Sequence, residues 1–276
     1  MVSGGIVGLP MSIDPLVLYV NNDILSDSFI VNNPTTWDEL TNMHNSIVQI
    51  TNSGELKKSL IGMGTYKNVN HADEIIATLL FQVGDSITTY IPALGKITAN
   101  PNSAGQSVFD FYTGFARESS DYYTWNSEQG FNKDMFIAGN VAFYVGFASE
   151  LSELRTKNPN LNFTITMMPN LSDTPGTKNV VYGKMIGWGI SNFSKKQDVS
   201  LGVLQLMAGR DFISVVLNNS WLASARRDML STFPVNDAVR TIIYKSAIIS
   251  RGFWNPDTIS VSKALETSIN NIVSGR

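Results

Sequence analysis

Aromatic side chains beside glycine or asparagine are the residues of this sequence with the clearest capacity for ligand chemistry. The chain contains five Trp, nine Tyr and fourteen Phe in 276 residues. Several lie outside regular apolar stripes, at 122–126, 146–147, 182–183, 187–189 and 252–255. A flat aromatic face suits the apolar C–H face of a sugar ring, and nearby Asp, Asn and Glu can accept hydrogen bonds from its hydroxyls. For any single ring a core or loop anchor is at least as good an interpretation, and Trp37 has the helical phase of a core residue.

Paired carboxylates are the feature that would support an enzyme, because a glycosidase needs two of them at a fixed separation and in unequal environments. The available pairs are Asp38-Glu39, Asp73-Glu74 and Glu150 with Glu153. Asp38 and Glu39 are better explained as first-turn acids that a helix dipole favours. Glu150 and Glu153 are predicted to lie on a solvated helix face. Hydrolysis is therefore the weaker interpretation.

Other chemistries have little support in the sequence. The two histidines, His44 and His71, lie in different predicted elements, and no His/Asp/Glu spacing typical of a metal site occurs. There is no Gly-x-Ser-x-Gly elbow, no complete phosphate-binding loop and no cysteine. No cofactor is predicted.

Composition narrows the possible partners. Hydrophobic residues make up 43% and charged residues 16%, which is typical of a folded chain with a sizeable core. The net charge is -3 and no Lys/Arg run occurs, so nucleic-acid binding is not predicted. No apolar stretch approaches the ~20 residues of a membrane span.

The elements that must position these side chains alternate between helices and short strands. Thr36 to Glu39 is a capping-box pattern, followed by apolar residues at helical spacing to Ile50. Further helices are predicted at 73–83, 104–117, 134–138, 148–155, 194–207 and 261–273. Strands are predicted at 16–21, 59–64, 141–145, 162–168 and 184–190, and 92–101 is predicted to be a loop. This mixture, with few hairpin signals, favours an α/β fold with largely parallel strand pairing.

An ordered set of motifs resembles one known family along essentially the whole chain. It begins with Gly8-Leu9-Pro10, the segment 14–21 and Thr36-Trp37-Asp38-Glu39. It continues through 123–126, 136–143, Met168-Pro169, 187–191 and 225–228. The set resembles the family 1 extracellular solute-binding proteins of ABC importers, the family of maltose-binding protein. Position 140 is a departure, because Asn140 stands where the family has Lys.

The resemblance implies a periplasmic-binding-protein-like type II fold, with two α/β lobes joined by a hinge. Residues 1–75 are expected to supply the remaining part of lobe one and a hinge strand, 76–235 lobe two, and 236–276 helices that return to lobe one. The family's leader and the first part of lobe one have no counterpart before Gly8, and Met1 does not begin a signal peptide. The resemblance therefore also predicts exposed apolar surface where the missing strands would pair.

The implied function is binding without chemistry. A monomeric receptor outside the cytoplasm would bind a sugar or oligosaccharide between its lobes and deliver it to the permease, meeting the membrane only through the transporter or a missing lipid anchor. The alternatives that stay open are a carbohydrate-active enzyme, a receptor for a non-sugar solute such as a polyamine or amino acid, and a protein-interaction module.

The ligand-binding residues that the resemblance implies combine stacking for affinity with charge-assisted hydrogen bonds for orientation. Asp14 matches an acidic sugar contact, and Trp254 matches a C-terminal stacking Trp. The full predicted set is Asp14, Asn70, Glu74, Trp125, Phe147, Tyr182, Gly183 and Trp254.

Overall fold

The computed structural model describes residues 8–91, 94–99, 103–172, 179–232 and 236–275, without the side chains of 103 and 104. The strands are β1 (Leu9–Asn21), β2 (Gln49–Ile50), β3 (Leu56–Ile61), β4 (Thr88–Ile91), β5 (Lys96–Ala99), β6 (Val141–Phe147), β7 (Phe163–Thr166), β8 (Val181–Trp188), β9 (Ala223–Ser224) and β10 (Ser250–Arg251). The helices are α1 (Asn22–Asp27), α2 (Trp37–Asn42), α3 (His44–Ile47), α4 (Ala72–Gln82), α5 (Ser103–Gly114), α6 (Asn132–Ile137), α7 (Leu151–Lys157), α8 (Gln197–Met207), α9 (Arg210–Asn218), α10 (Arg227–Leu230), α11 (Ala238–Ile248) and α12 (Thr258–Val273). A 3₁₀ turn at Ala148–Glu150 joins β6 to α7.

The long strand β1 organises the main sheet. Its second half pairs with β6 and β7, and its first half pairs with β8 and β9. The run from Leu16 to Val20 is fully buried. A continuous apolar run of this kind is typical of a strand that is covered on both faces.

The expectation of largely parallel pairing is wrong. All four partners of β1 run antiparallel to it, and the parallel ladders among the described strands are β3 with β6 and β8 with β10. Intervening helices imply parallel pairing only when the strands that flank them become neighbours. Here the later strands return instead to β1.

The predicted loop at 92–101 is also wrong in part. Lys96–Ala99 forms β5, which pairs with β4 in a two-stranded antiparallel sheet. Residues 92–93 and 100–101 of that prediction lie outside the described residues. Residues 88–91 and 96–99 are mostly polar, so their alternation carried no strong strand signal.

Local capping rules locate several helix ends well. The capping box at Thr36 and Glu39 is confirmed, with the Thr36 hydroxyl accepting from the Glu39 amide. The helix expected to reach Ile50 ends at Ile47, where β2 follows. The last helix starts at Thr258, earlier than predicted, because the Asp257 carboxylate accepts from the amides of Ile259 and Ser260.

One large and two small apolar clusters fill the described part of the molecule. The main cluster gathers side chains from β1, β3, β6, α4, α5, α11 and α12. One small cluster gathers Met11, Ile213 and Leu217, and the other gathers Ala77, Phe81 and Val180, against which Tyr182 and Phe253 pack. The predicted boundary at residues 75 and 76 falls inside α4, and Ile75 and Ile76 both belong to the main cluster. The assignment of the three predicted ranges to lobes stays a prediction.

Large apolar side chains are exposed along one part of the chain, on β8, α8 and α9 and their connections. They include Met185, Phe193, Val199, Val203, Leu206 and Val215. Whether this exposed surface is where further strands would pair stays a prediction. No single helix of the described part is long and apolar enough to cross a membrane, and only α8 with α9, bent by 60° at their junction, meets that test as a pair.

A buried polar network ties α2 to α4 and to the chain that follows β7. Trp37 Nε1 donates to Gln82 Oε1 over 2.9 Å, and Gln82 Nε2 donates to the Pro169 carbonyl over 2.8 Å. Both Trp37 and Gln82 are buried. Gln82 Nε2 also donates to the Val180 carbonyl over 3.3 Å, so one buried amide satisfies three buried groups.

Replacing Gln82 with methionine tests this network. Gln82→Met keeps the length of the side chain but leaves the indole N–H and the Pro169 carbonyl unpaired, so we expect a loss of about 2–4 kcal/mol in the free energy of unfolding. Urea denaturation followed by far-UV circular dichroism measures it. Gln205→Met, on the exposed face of α8, is the matched control and should change stability by less than about 0.5 kcal/mol. Equal effects of the two variants would contradict the assignment.

Candidate functional site

Asp14 is a buried carboxylate at the point where β1 passes β8 and the start of α7. It accepts hydrogen bonds from the Ser149 amide over 3.1 Å and the Ser149 hydroxyl over 2.7 Å. Lys184 lies directly opposite it on β8. Burial raises the pKa of Asp14, and the Ser149 hydrogen bonds and the Lys184 charge only partly offset this. The carboxylate is held in place, but its interactions do not fully offset the cost of burying its charge.

Lys184 extends from β8 across the aromatic face of Phe147. Its Nζ lies 3.8 Å from the centre of the Phe147 ring and 3.5 Å from Glu74 Oε1. Phe147 is only 3% exposed, whereas 46% of the Lys184 side chain is exposed. The ring therefore lies beneath an ammonium group that itself borders solvent.

His71 and Glu150 close the site on the side of α4. His71 has a left-handed backbone (φ 62°) immediately before α4, and its ring meets the Phe147 ring edge-on at 4.8 Å. Its Nε2 lies 2.5 Å from Glu150 Oε1, and Glu150 also accepts from the Tyr144 hydroxyl over 2.6 Å. A left-handed conformation in a residue other than Gly is often retained at functional sites.

The prediction that Glu150 lies on a solvated helix face is wrong. Its side chain is largely buried, because the 3₁₀ turn follows β6 directly and directs Glu150 inward before α7 begins. Glu153, one turn later, does face solvent in part and pairs with Lys133 and Lys157 at 2.9 Å each.

A row of aromatic rings continues from Phe147 along β8. The rings of Phe147 and Tyr182 are 6.3 Å apart, and those of Tyr182 and Phe253 are 6.0 Å apart. Burial raises the pKa of Tyr182, as does the charge of Glu74. The next residue, Trp254, is 45% exposed and lies 5.7 Å from Tyr90. The row of ring contacts thus ends at Phe253, and Trp254 forms a separate, partly exposed pair with Tyr90.

Asn70 and Glu74 line a polar cavity of about 450 Å³ at the N-terminal end of α4, together with His71 and Asp73. The Asn70 amide donates to Asn132 Oδ1 over 2.8 Å. Its own Oδ1 is buried and has no hydrogen-bond partner among the described residues. The two predicted polar residues of this segment therefore do lie on one wall.

Gly183 is required by packing between strands. A Cβ there would come within 2.6 Å of the Ser250 Cβ and 3.4 Å of Ile13, because β10 approaches β8 closely at this residue. Any larger residue would displace Tyr182 and Lys184 on either side of it. Its ligand contact stays a prediction.

Trp125 is placed differently from the other predicted residues. It is fully buried in the main cluster, so its indole has no face to offer a ligand in this structure. Its position after α5 satisfies core packing, and the Trp125 amide donates to the Phe115 carbonyl over 3.0 Å. Its inclusion in the ligand-contacting set is therefore corrected to a role in the core.

The structure brings Asp14, Glu74, Phe147 and Tyr182 together around Lys184, whereas the Trp254 ring packs against Tyr90. Sequence reasoning missed four neighbours, which are His71, Glu150, Lys184 and Phe253. Lys184 could have been found, because alternation along a strand puts it on the same face as Tyr182. Among the described residues, no three His, Asp or Glu side chains gather in a way that could hold a metal ion.

An aromatic row flanked by carboxylates, on an α/β scaffold, is the candidate site of this protein. The family model for bacterial extracellular solute-binding proteins matches residues 1–247, and the chain belongs to that family.

Solved structures share the fold over nearly the whole chain. An ABC transporter solute-binding protein from Thermotoga lettingae, bound with α-D-tagatose, is 17% identical, with a TM-score of 0.69 over 98% of this chain and 67% of its own. The maltose-maltodextrin binding protein of Alicyclobacillus acidocaldarius is 15% identical, with a TM-score of 0.70 over 100% and 69%. The GacH receptor of Streptomyces glaucescens, solved unliganded and with acarbose, is 15% identical, with a TM-score of 0.71 over 99% and 67%. The periplasmic-binding-protein-like fold is thereby confirmed.

Replacing Asp14 with asparagine tests whether burial raises the pKa of this carboxyl group. Because burial raises its pKa above 3.8, the folded protein holds this proton to higher pH than the unfolded chain does. The stability that the protonated group contributes is present below the unfolded pKa and is lost as pH rises through the folded pKa. The asparagine side chain does not titrate and can still bond Ser149. We therefore expect the unfolding free energy of Asp14→Asn, relative to wild type, to increase from pH 3 towards neutrality, as measured by thermal and urea melts.

Asp228→Asn is the control of opposite sign. The exposed Asp228 carboxylate has its pKa lowered by hydrogen bonds from Arg226, so relative stability should fall or stay level as pH rises. A pH-independent difference for Asp14→Asn would contradict the assignment at Asp14.

Proposed function

We propose that this protein is the receptor of an ABC importer and binds a sugar or oligosaccharide along the aromatic row. The single observation that carries the proposal is the convergence of Asp14, Glu74, Phe147 and Tyr182 at one junction of β1, β8 and α4. A sugar ring needs both a flat apolar face and fixed acceptors for its hydroxyls. This junction supplies both within one row of contacts.

Neighbouring proteins support the sugar assignment by what their names state. α-D-Tagatose is bound in the Thermotoga protein, maltose and maltodextrin name the Alicyclobacillus protein, and acarbose is bound by the Streptomyces receptor. All are saccharides or saccharide analogues. The shared fold makes the same class the first one to test here.

The two lobes that close on the ligand are proposed to be built around the main cluster and the small cluster of Met11, Ile213 and Leu217. The main cluster supplies the wall with α4 and Phe147, and the small cluster around Met11 and Ile213 belongs to the opposing lobe. Strand β1 contributes to both clusters and, with β8 paired beside it, is the connection between them. Closure of such lobes about a ligand is a hinge motion. The family match supports a location outside the cytoplasm, and the proposal includes a monomer that delivers the solute to a permease.

A carbohydrate-active enzyme is the rival from another class. The carboxylates at the site are already engaged in fixed pairs, Asp14 with Ser149 and Glu150 with Tyr144 and His71. Sustained release of reducing ends from an oligosaccharide would establish turnover, whereas a receptor gives a stoichiometric response only.

Sugar binding itself is tested on the full chain with a panel of mono- and oligosaccharides. A ligand of the native state should raise the melting temperature and change the Trp emission. Trp254→Ala should weaken the best ligand about tenfold, since a stacking indole contributes roughly 1–2 kcal/mol. Isothermal titration calorimetry measures the change.

Trp221→Ala is the matched control. The Trp221 ring lies between Arg155 and Arg240, at 5.2 and 5.0 Å, and not in the aromatic row. This variant should lower the melting temperature with little effect on affinity. No response to any saccharide, with a response to amino acids, would reject the proposal.

A further inference from the structure

The contact between Lys184 and Phe147 fills the position that a ligand would need. A sugar ring that stacks on Phe147 must first displace the ammonium group, which lies 3.8 Å from the ring centre. The Phe147 residue is only 3% exposed, and the Lys184 ammonium group is the charged group that the described residues place over its ring. The Lys184 side chain is 46% exposed and can leave into solvent without crossing the core.

Displacement has a different cost for different ligands. When Lys184 leaves, Glu74 loses its cation at 3.5 Å and Phe147 loses the charge over its face. A neutral ring restores neither interaction. A ligand that carries its own ammonium group restores both, because aromatic faces beside carboxylates bind cations by the same two interactions.

The charges that face this point are mainly negative. On the Asp14 side of the Lys184–Phe147 contact, the charge of Glu150 helps to raise the pKa of Asp14. On the Tyr182 side, the charges of Glu74 and Asp73 help to raise the pKa of Tyr182. The cations at the site are Lys184 and, when it is protonated, His71. An acidic ligand would therefore enter a field that opposes it.

We propose that this site takes an amino sugar or amino oligosaccharide, whose protonated amine replaces the Lys184 ammonium between Phe147 and Glu74. This inference rests on the proposed sugar-receptor function and names its substrate class. Lys184 acts as an internal substitute that keeps Glu74 paired and the ring covered until the ligand arrives. After exchange, the backbone of Lys184 stays opposite Asp14 on the neighbouring strand.

The test compares two trisaccharides that differ only in whether their amines are free or acetylated. Isothermal titration calorimetry on the full chain uses the glucosamine trisaccharide, at a pH at which its amines are protonated, and the N-acetylglucosamine trisaccharide. We expect the amine form to bind at least about tenfold more tightly, and this preference to shrink as salt is raised. Equal binding, or a preference for the N-acetyl form, overturns the inference and leaves the receptor function standing.

Two variants test the roles of Glu74 and Lys184 separately. Glu74→Gln keeps a hydrogen-bond acceptor but removes the charge, so the preference for the amine should fall about tenfold. Lys184→Met removes the cation that both trisaccharides must displace, so both affinities should rise while the preference for the amine form remains. Lys157→Met, whose side chain is 48% exposed and paired with Glu153, is the matched control and should leave both affinities unchanged.

Spermidine serves as an acyclic amine in the same series. Tight binding of spermidine without binding of either trisaccharide overturns both the amino-sugar inference and the sugar-receptor function. Binding of neutral sugars alone overturns only the inference.

Discussion

Strand β1 is the constraint on which the rest of this structure depends. It pairs with β6 and β7 through the main cluster and with β8 and β9 nearer its start, so the core and the binding site share one continuous backbone. Asp14 lies between these two halves, just before the fully buried run that starts at Leu16. Because that run cannot slip without exposing apolar side chains, the position of Asp14 is fixed by the stability of the core.

This placement explains how the chain tolerates a poorly compensated carboxylate. Burying Asp14 costs free energy, as its raised pKa indicates, and the Ser149 hydrogen bonds recover only part of it. The strands that pair with β1 on its two edges, and the apolar side chains that they bury, supply the remaining stability. The carboxylate therefore keeps one orientation, set by Ser149, although its burial opposes folding at neutral pH. The Lys184–Glu74 pair is likewise held in place, at 3.5 Å, beside the Phe147 ring.

The sequence predicted elements better than it predicted their pairing. The capping box at Thr36 and the helix that became α4 were located within about a residue, because caps and periodicity are local properties. Parallel pairing was wrong because strand neighbours are set by tertiary packing, which alternation of helices and strands does not encode. The hairpin of β4 and β5 was missed since its polar residues give no apolar alternation.

The contrast between local signals and tertiary packing also holds for the site residues. Asp14, Glu74, Phe147 and Tyr182 came from motif order and do converge. Trp125 followed the same reasoning but belongs to the core, because a ring beside Asn in a loop has no local signal that separates burial from exposure. Glu150 was misplaced for a related reason, since only the 3₁₀ turn after β6 directs it inward.

Strand β8 connects the site to the uncovered apolar surface. Lys184 and Met185 are consecutive, so alternation along the strand directs one towards Asp14 and the other away from it. Met185 is largely exposed, together with apolar side chains of α8 and α9. The register of β8 is fixed by its pairing with β1, so the side chains on its two faces keep the same alternation: Lys184 faces the site because the paired strand sets which residues point each way.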